Sequence, residues 1–268
     1  MLLPTWVVLV YVGIVGAILA SYANVVAYRV PLGMSTARPP SACPACGHRV
    51  RPWDNIPVVS WLVLRGRCRD CRAPISVRYA LVEAAGAGLF VLVGGVLSPS
   101  LGWWATLPAL ALVAGAVPLS LIDLDTMTLP DKVMRPWAVV VAAAVAVAAV
   151  GSGDPSVALR AVAGGAILFA SYFVVAVAYP AGMGFGDVKL AAPLGAVLAF
   201  YGWPNLLVGA LAAFVVGLAA VGVAAGVGRK VGRKSEVPFG PAMCAGALVG
   251  ILAGGQVFDI YLRVAGLS

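Results

Sequence analysis

The stretch that decides the fold is residues 205 to 227, NLLVGALAAFVVGLAAVGVAAGV, which is 23 residues long and carries no charge. About 20 apolar residues in a helix span the hydrocarbon core of a bilayer, so this run predicts a membrane-spanning helix. The sequence predicts an all-α polytopic membrane protein with about eight transmembrane helices. The other seven predicted spans, with soft boundaries, are 5 to 28, 80 to 97, 104 to 122, 137 to 151, 159 to 180, 189 to 203 and 241 to 257.

The composition agrees with a membrane environment. Apolar residues make up 62% of the 268 residues and charged residues only 10%, whereas about a quarter of the residues of a soluble domain are charged. No Lys or Arg precedes Arg29. The first run therefore lacks the basic start of a signal peptide, and we expect it to remain as the first span.

The net charge of +8 raises nucleic acid as a partner, but the basic residues lie between the apolar runs and are not interleaved with aromatics. We expect no nucleic-acid partner and a lipid bilayer instead. Basic and neutral connections alternate, which predicts cytoplasmic basic connections and outward-facing termini because cytoplasmic loops are rich in Lys and Arg. The basic connections carry nine Arg between residues 29 and 78, then Lys132, Arg135, Lys189, Arg229, Lys230, Arg233 and Lys234.

The sequence predicts three parts: a first transmembrane helix (1–28), a cytosolic segment rich in Pro, Arg and Cys (29–79), and a polytopic domain (80–268). A segment of this size cannot bury a sufficient core by itself, so we expect a covalent or metal cross-link. Two C-x-x-C pairs separated by 21 residues supply the ligands of a structural zinc site. These ligands are Cys43, Cys46, Cys68 and Cys71.

Disulfides are the alternative to zinc, but the Arg-rich setting indicates the reducing cytoplasm. Neighbouring arginines are expected either to favour ionised thiolates or only to mark the loop as cytoplasmic. They are Arg49, Arg51, Arg65, Arg67, Arg69 and Arg72. The only histidine, His48, is interpreted as a loop residue, and Cys244, inside the last span, as a small buried residue.

Four of the ten acidic residues lie near predicted cytoplasmic ends of spans: Asp123, Asp125, Asp131 and Asp187. Ionisable groups at the membrane are costly and indicate function. Asp131 and Asp187 each precede a helical run, where capping explains them equally well. Asp123 ends the third span, where the helix dipole disfavours an anion, so a structural role explains it poorly. Asp125 is interpreted as a supporting or a solvated residue.

Three alternating glycines, Gly182, Gly184 and Gly186, precede Asp187, and Lys189 follows it. They let a peptide or a helix come close to the backbone. Their G-x-G-x-G spacing, without a βαβ unit, makes a dinucleotide fingerprint a poor alternative.

Two carboxylates at one site share a proton because like charges a few ångströms apart cannot both ionise cheaply. One then activates water against a peptide carbonyl, while the protonated partner donates to the carbonyl oxygen and later to the leaving amine. No histidine lies near these loops and no serine nucleophile elbow is present. The sequence therefore favours aspartic peptidase chemistry over serine or metal hydrolysis.

Ordered motifs from about residue 15 to residue 245 resemble the type IV prepilin peptidases, bifunctional leader peptidases and N-methyltransferases of the GxGD type. The segments that carry the resemblance are Asn24-Val-Val-Ala-Tyr-Arg-Val-Pro31, both C-x-x-C pairs with Arg51-Pro-Trp-Asp-Asn-Ile-Pro57 between them, Arg78-Tyr-Ala-Leu-Val-Glu83, Ile122-Asp-Leu-Asp125, Leu129-Pro-Asp131, Gly184-Phe-Gly-Asp-Val-Lys189 and Pro238-Phe-Gly-Pro241. One departure is Ala20-Ser21-Tyr22-Ala23, where the family usually has a Gly-Ser start.

The resemblance implies an eight-span enzyme of the bacterial inner membrane, with its zinc domain and active site at the cytoplasmic face and Asp123 and Asp187 as the catalytic pair. Its implied substrates are prepilins or pseudopilins, cut after a Gly at the end of a basic leader. It also implies methylation of the new N-terminus with S-adenosylmethionine, although no sequence pattern assigns a methyl-donor pocket.

Two other classes of protein remain open from the sequence. An ion-coupled transporter or channel would use intramembrane Asp residues as a relay, and acidic residues near mid-span would favour it. A zinc-stapled assembly protein without catalysis is the other alternative.

Overall fold

The structure is a computed structural model that describes residues 4–180, 182–226 and 237–267. Within these ranges the chain is almost entirely helical, and extended segments pair only in two isolated antiparallel bridges, Ala42 with Arg49 and Arg67 with Pro74. The predicted all-α fold class is confirmed. The helices are α1 Thr5–Arg29, α2 Val59–Val63, α3 Val77–Thr126, α4 Asp131–Ser152, α5 Pro155–Ala178, α6 Phe185–Tyr201, α7 Trp203–Gly226 and α8 Gly240–Val264, with a short 3-10 helix at Pro52–Asn55.

Six of these helices, α1, α3, α4, α5, α7 and α8, are long and apolar enough to cross a membrane. Helix α3 has 50 residues, which is about 75 Å of helix and more than one crossing needs. Its backbone leaves the helical conformation at Gly102 (φ 79°, ψ 166°), between the spans predicted at 80 to 97 and 104 to 122. The chain is a multi-pass membrane protein.

Helix α6 has 17 residues and reaches only about 26 Å, less than a hydrocarbon core of about 30 Å. The count of eight crossings therefore stays a prediction. The basic connection predicted after the seventh span, with Arg229, Lys230, Arg233 and Lys234, lies outside the described residues.

The outer face of α7 is apolar and exposed. Leu211, Val215 and Leu218 are 58%, 66% and 74% exposed. A soluble monomer rarely leaves such a face uncovered, whereas lipid tails cover it in a bilayer.

Helix α6 is enclosed by protein. It contacts α4, α5, α7 and α8, and ten of its 17 residues are buried. A helix that is apolar all round is typical of such a position. The first turn of α6 carries Asp187, so the packing of α6 fixes the position of that carboxylate.

Small residues let the helices approach closely. A Cβ on Gly195 of α6 would lie 2.5 Å from the carbonyl oxygen of Gly164 in α5, and a Cβ on Gly250 of α8 would lie 2.6 Å from the carbonyl oxygen of Asn205 in α7. Asn205 Nδ2 also donates to the Gly250 carbonyl at 2.8 Å. Close packing of small residues is a main source of helix association in membranes.

The chain divides into two compact units, one that ends at Gly95 and one that begins at Val96. The first unit contains α1, the cysteine-rich segment and the first part of α3. The second contains the rest of α3, helices α4 to α8, and the four acidic residues singled out in the sequence.

Candidate active site

Asp123 lies in the last turn of α3, which ends at Thr126. The residue is 5% exposed, and its Oδ2 accepts a hydrogen bond of 3.0 Å from the backbone N–H of Gly240. Gly240 is the first residue of α8, where free N–H groups and the helix dipole attract negative charge. The start of α8 therefore offsets the unfavourable position of Asp123 at the end of α3.

Glycine at position 240 lets the Asp123 carboxylate come close to the start of α8. A Cβ on Gly240 would lie 2.8 Å from Oδ2 of Asp123 and 3.5 Å from Cδ2 of Leu129. Leu129 also lies against the start of α6, because a Cβ on Gly186 would be 3.0 Å from its Cβ. One leucine side chain thus contacts the glycines at the starts of both α6 and α8.

Asp187 lies in the first turn of α6, and its backbone N–H donates to the Gly184 carbonyl at 3.1 Å. Its side chain is partly buried, and the charge of Asp123 acts on it directly. The structure thus brings together two carboxylates that are 64 positions apart in the sequence. Because like charges that interact in a partly buried site disfavour each other, the pair favours a state in which only one of the two carboxylates is ionised.

The three alternating glycines make different contacts. Gly186 faces Leu129, as described above, whereas a Cβ on Gly184 would lie at 3.5 Å from Oδ2 of Asp187, which is an ordinary contact distance. A Cβ on Gly182 would overlap the ring of Tyr179. A side chain at Gly186 would require Leu129 to shift by a few tenths of an ångström, and one at Gly182 would require the exposed Tyr179 ring to turn away.

Asp131 forms ion pairs. Its Oδ1 lies 2.8 Å from Nζ of Lys189, and its Oδ2 lies 2.8 Å from a guanidinium nitrogen of Arg135. Lys189 also lies over the ring of Phe185, 5.2 Å from its centre. Because Asp131 begins α4 and Lys189 lies in α6, this network ties the start of α4 to the turn that carries Asp187. It supports the site without contributing a free carboxylate.

Asp125 is exposed in the last turn of α3. Helical residues two positions apart do not share a face, so Asp125 does not point the same way as Asp123. Its supporting role stays a prediction.

Tyr172 of α5 is a residue that the sequence analysis missed. Where α5 packs on α6, Arg160 donates to the carbonyls of Ala199 and Phe200, both at 2.7 Å. A short connection joins the two helices, so they run in opposite directions. Moving about three turns along α5 from Arg160 therefore corresponds to moving about three turns back along α6, to its first turn. Tyr172 lies there, buried, with the charge of Asp187 acting on it. Once the pairing of α5 with α6 is known, the register of the two helices places Tyr172 near Asp187.

An aromatic cluster holds the Tyr172 ring beside the start of α8. Its ring centre lies 5.9 Å from that of Phe214 and 6.3 Å from that of Phe239, and the two Phe rings are 5.4 Å apart. Phe239 directly precedes Gly240, the donor to Asp123. The cluster therefore connects the surroundings of the two carboxylates.

The four predicted metal ligands lie together in the first unit. Their sulfur atoms are all within 4.8 Å of one another, and Cys43 Sγ is 3.7 Å from Cys71 Sγ. A metal about 2.3 Å from four sulfurs in a tetrahedron separates them by about 3.8 Å. The cysteines are free thiols, so the cluster can hold a metal ion. It consists of Cys43, Cys46, Cys68 and Cys71.

The two C-x-x-C pairs form turns of the same design. The N–H of Cys43 donates to the His48 carbonyl at 2.9 Å, and the N–H of Cys68 donates to the Ala73 carbonyl at 2.8 Å. In each turn the residue after the second cysteine has a positive φ, 72° in the first and 60° in the second. Backbone N–H groups of Cys46 and Ala45 lower the pKa of the Cys43 thiol to about 7. Burial and the neighbouring sulfurs raise the pKa of the Cys46 and Cys71 thiols, so of these three thiols Cys43 is the one that most readily becomes the thiolate that binds metal.

Two of the neighbouring arginines pair with carboxylates. Arg69 binds both oxygens of Asp54, and Arg51 lies 2.9 Å from Asp70. Hydrogen bonds from Arg69 hold the pKa of the Asp54 carboxyl below its usual value. These pairs tie the 3-10 helix Pro52–Asn55 to the second cysteine turn, so the two arginines stabilise the segment as well as marking it as basic.

Comparison with known proteins matches both units. Residues 14–96 match the bacterial peptidase A24 N-terminal domain, and residues 110–227 match the type IV leader peptidase family. No solved structure matches.

Curated relatives named prepilin leader peptidase/N-methyltransferase match over most of the chain. One from Burkholderia pseudomallei is 34% identical over 280 residues, covering 94% of this chain and 87% of the relative. One from Pseudomonas aeruginosa is 35% identical over 282 residues (95% and 93%), and one from Aeromonas hydrophila is 39% identical over 227 residues (84% and 75%). The chain therefore belongs to the type IV leader peptidase family.

Proposed function

We propose that this protein is a membrane aspartic endopeptidase that removes the basic leader of type IV prepilins or pseudopilins after a Gly, and then methylates the new N-terminus. The observation that carries the peptidase half is that Asp123, bound by the start of α8, and Asp187 lie near enough for their charges to interact. The names of the relatives support both halves.

The two carboxylates have different surroundings, and this suggests their roles. Asp123 accepts the Gly240 N–H at the positive end of α8, which favours its ionised form. Asp187 then carries the shared proton. Asp123 takes a proton from water as the water attacks the peptide carbonyl, and Asp187 donates to the carbonyl oxygen. As the carbon–nitrogen bond breaks, the proton gained by Asp123 goes to the leaving amine, and Asp187 regains a proton from a hydroxyl of the tetrahedral intermediate, which restores the starting state of the pair.

The position of the pair at helix ends favours peptidase over transport. Asp123 lies in the last turn of α3 and Asp187 in the first turn of α6, so neither lies in the middle of a helix, where an ion relay would need it. A precursor with an apolar stem in the bilayer and a basic leader in the cytoplasm presents its cleavage site at the membrane edge. We infer from the basic connections that this edge is the cytoplasmic face of a bacterial inner membrane.

We infer that the metal of the cysteine cluster is zinc, because four thiolates in a tetrahedron are a typical structural zinc site. The zinc would hold the two turns together, and it takes no part in cleavage.

S-adenosylmethionine is the methyl donor implied by the second half of the relatives' name. When bound, it supplies an activated methyl group to the amine that cleavage exposes.

Product analysis tests the proposal. The purified chain in detergent or lipid is given a synthetic precursor whose basic leader ends in Gly, with and without S-adenosylmethionine, and the products are identified by mass spectrometry. Cleavage after the Gly supports the peptidase, and the added mass of one methyl group on the new N-terminus supports the transferase. If a folded, metal-loaded sample leaves several such precursors intact, the peptidase proposal fails.

A further inference from the structure

The first unit contains a cavity of about 300 Å³ against the second half of α1, which we call the α1 cavity. Its opposite wall is the chain from Thr36 to Ser41, together with Asn55 and Pro57. This volume lies at the lower end of the range of small-molecule sites. The residues of α1 that line it are Ile18, Ser21, Tyr22, Val25 and Arg29.

Arg29 gives the α1 cavity a positive charge. A guanidinium nitrogen donates to the Ser35 carbonyl at 3.1 Å, which directs the side chain toward the segment after α1. A guanidinium has five N–H donors and matches a carboxylate in geometry. The residues that line the cavity include no Asp or Glu, so the cavity suits an anionic group.

Tyr22 gives the same cavity an aromatic wall. Its hydroxyl hydrogen-bonds to Thr36 Oγ1 at 2.9 Å, which links α1 to the opposite wall and holds the ring in place. The residue remains 50% exposed. A fixed aromatic face attracts a cation and stacks on a heterocyclic base.

We propose that the α1 cavity binds S-adenosylmethionine, with Arg29 pairing its carboxylate and the Tyr22 ring facing its adenine or sulfonium. This inference rests on the methyltransferase half of the proposed function, and it names the site where that half resides. The carboxylate, sulfonium and base of this ligand match a cavity that has one cation, one aromatic ring, apolar side chains and several neutral polar groups. The neutral polar groups are the side chains of Ser21, Thr36, Ser41 and Asn55. The cleavage carboxylates belong to the other unit.

The transfer itself balances without a further reactant. The lone pair of the substrate's neutral N-terminal amine attacks the methyl carbon, and the carbon–sulfur bond breaks with its electron pair going to sulfur. The methylated amine releases one proton to solvent, and S-adenosylhomocysteine remains as the thioether product.

Direct binding tests the proposal without relying on methylation. The full-length, metal-loaded chain is placed in zwitterionic lipid discs and titrated calorimetrically with S-adenosylmethionine and S-adenosylhomocysteine. We expect Arg29→Gln and Tyr22→Leu each to weaken binding about tenfold or more. Tyr22→Phe keeps the ring and loses only the bond to Thr36, so a loss of a few-fold is expected.

Arg38→Gln is the matched control for charge. Arg38 is exposed in the same segment and does not line the cavity, so this variant should bind like the wild type. All variants are also assayed for metal content and precursor cleavage, which should stay at the wild-type level. These readouts separate loss of the site from loss of the fold.

Wild-type affinity in both Arg29→Gln and Tyr22→Leu would overturn the proposal. So would a site that takes an anionic lipid instead, seen as Arg29-dependent binding of phosphatidylglycerol with none of the methyl donor. If the wild type cleaves the precursor but does not bind S-adenosylmethionine, this inference is wrong and the peptidase proposal is unaffected. Arg29-dependent donor binding in a protein that cleaves no precursor would support the cavity and contradict the peptidase.

Discussion

The cysteine cluster and the aspartate pair are built in opposite ways. Each cysteine turn closes within six residues by the same two backbone hydrogen bonds, so the chain forms half of the metal site locally. Asp123 and Asp187 come from different helices and are 64 positions apart in the sequence. The backbone donor to Asp123, Gly240, is 117 positions from it. The first site depends on ligands, whereas the second depends on the packing of helices.

This difference predicts how each site fails. Loss of one ligand removes the metal and with it the order of the small first-unit segment. The aspartate pair keeps both carboxylates in many variants and fails when a helix or a donor moves. Four pairs of substitutions separate these two modes, from the largest expected effect to the smallest.

The largest effect is expected for Cys46→Ser. Three thiolates hold zinc far more weakly than four, and metal binding supplies about 10–16 kcal/mol of folding free energy in zinc-finger peptides. We expect the purified variant to contain little metal and trypsin to cut the Arg-rich segment 29–79 rapidly. Elemental analysis and timed proteolysis measure both. Cys244→Ser, at the fifth cysteine, which lies outside the cluster, should retain its metal. Resistance to trypsin in metal-free Cys46→Ser would contradict a structural role for the metal.

The next effect concerns helix packing around the aspartates. Gly195→Ala introduces a Cβ 2.5 Å from the Gly164 carbonyl, and overpacking of this kind costs about 1–3 kcal/mol. We expect a lower midpoint of thermal inactivation in detergent. Gly222→Ala in α7 is the matched control, because a Cβ there meets nothing within 4 Å and should change stability by less than about 0.5 kcal/mol. Equal behaviour of the two variants would mean that the close approach of α5 and α6 is not needed.

The next substitution is at Gly240, whose N–H donates to Asp123. We expect a smaller effect on stability and a clear decrease in the rate of precursor cleavage. Gly240→Ala places a Cβ 2.8 Å from Oδ2 of Asp123, so the carboxylate must move, and a displacement of about 1 Å costs about a hundredfold in rate. In Gly184→Ala the Cβ lies 3.5 Å from Oδ2 of Asp187, and the loss should be much smaller. Initial rates of precursor cleavage compare them. A greater loss in Gly184→Ala would contradict the assigned contacts.

The smallest effect is expected for Tyr172→Phe. The hydroxyl lies at the level of Asp187, where a donor stabilises developing charge, so kcat should fall about tenfold or less with KM unchanged. Tyr201→Phe removes a hydroxyl that donates to the Ala105 carbonyl at 2.7 Å. It should cost about 1 kcal/mol of stability and leave kcat unchanged. Wild-type kcat in Tyr172→Phe would remove this residue from the site.

The sequence predicts the cysteine cluster well because spacing alone sets it. The two C-x-x-C pairs supply the four sulfur atoms of the cluster, and the segment between the pairs needs only to be long enough to let them come together. The apolar runs likewise predict the helices, since burial in lipid leaves the chain few alternatives to a helix.

The aspartate site could be predicted only in part. The unfavourable position of Asp123 at the end of its span indicated a functional role, whereas Asp187 was equally well explained by capping and was paired with Asp123 through the resemblance to the family. What offsets the charge of Asp123 is the start of α8, and no local pattern connects Gly240 with it. Ion pairs with Lys189 and Arg135 replace the predicted capping by Asp131. The pair with Arg135 is local, four positions along α4, whereas Lys189 comes within reach only after α4 and α6 pack. The break of α3 at Gly102, by contrast, falls between the spans predicted at 80 to 97 and 104 to 122.

Cleavage rates of Asp123→Asn, Asp187→Asn and the double variant test the central claim most directly, with Asp259→Asn on the exposed face of α8 as the control. Two carboxylates that act as one unit predict a loss of about a thousandfold or more in each single variant, and no further loss in the double variant. The control should cleave like the wild type. Wild-type cleavage by either folded single variant, measured on the same precursor in the same lipid, would contradict the account.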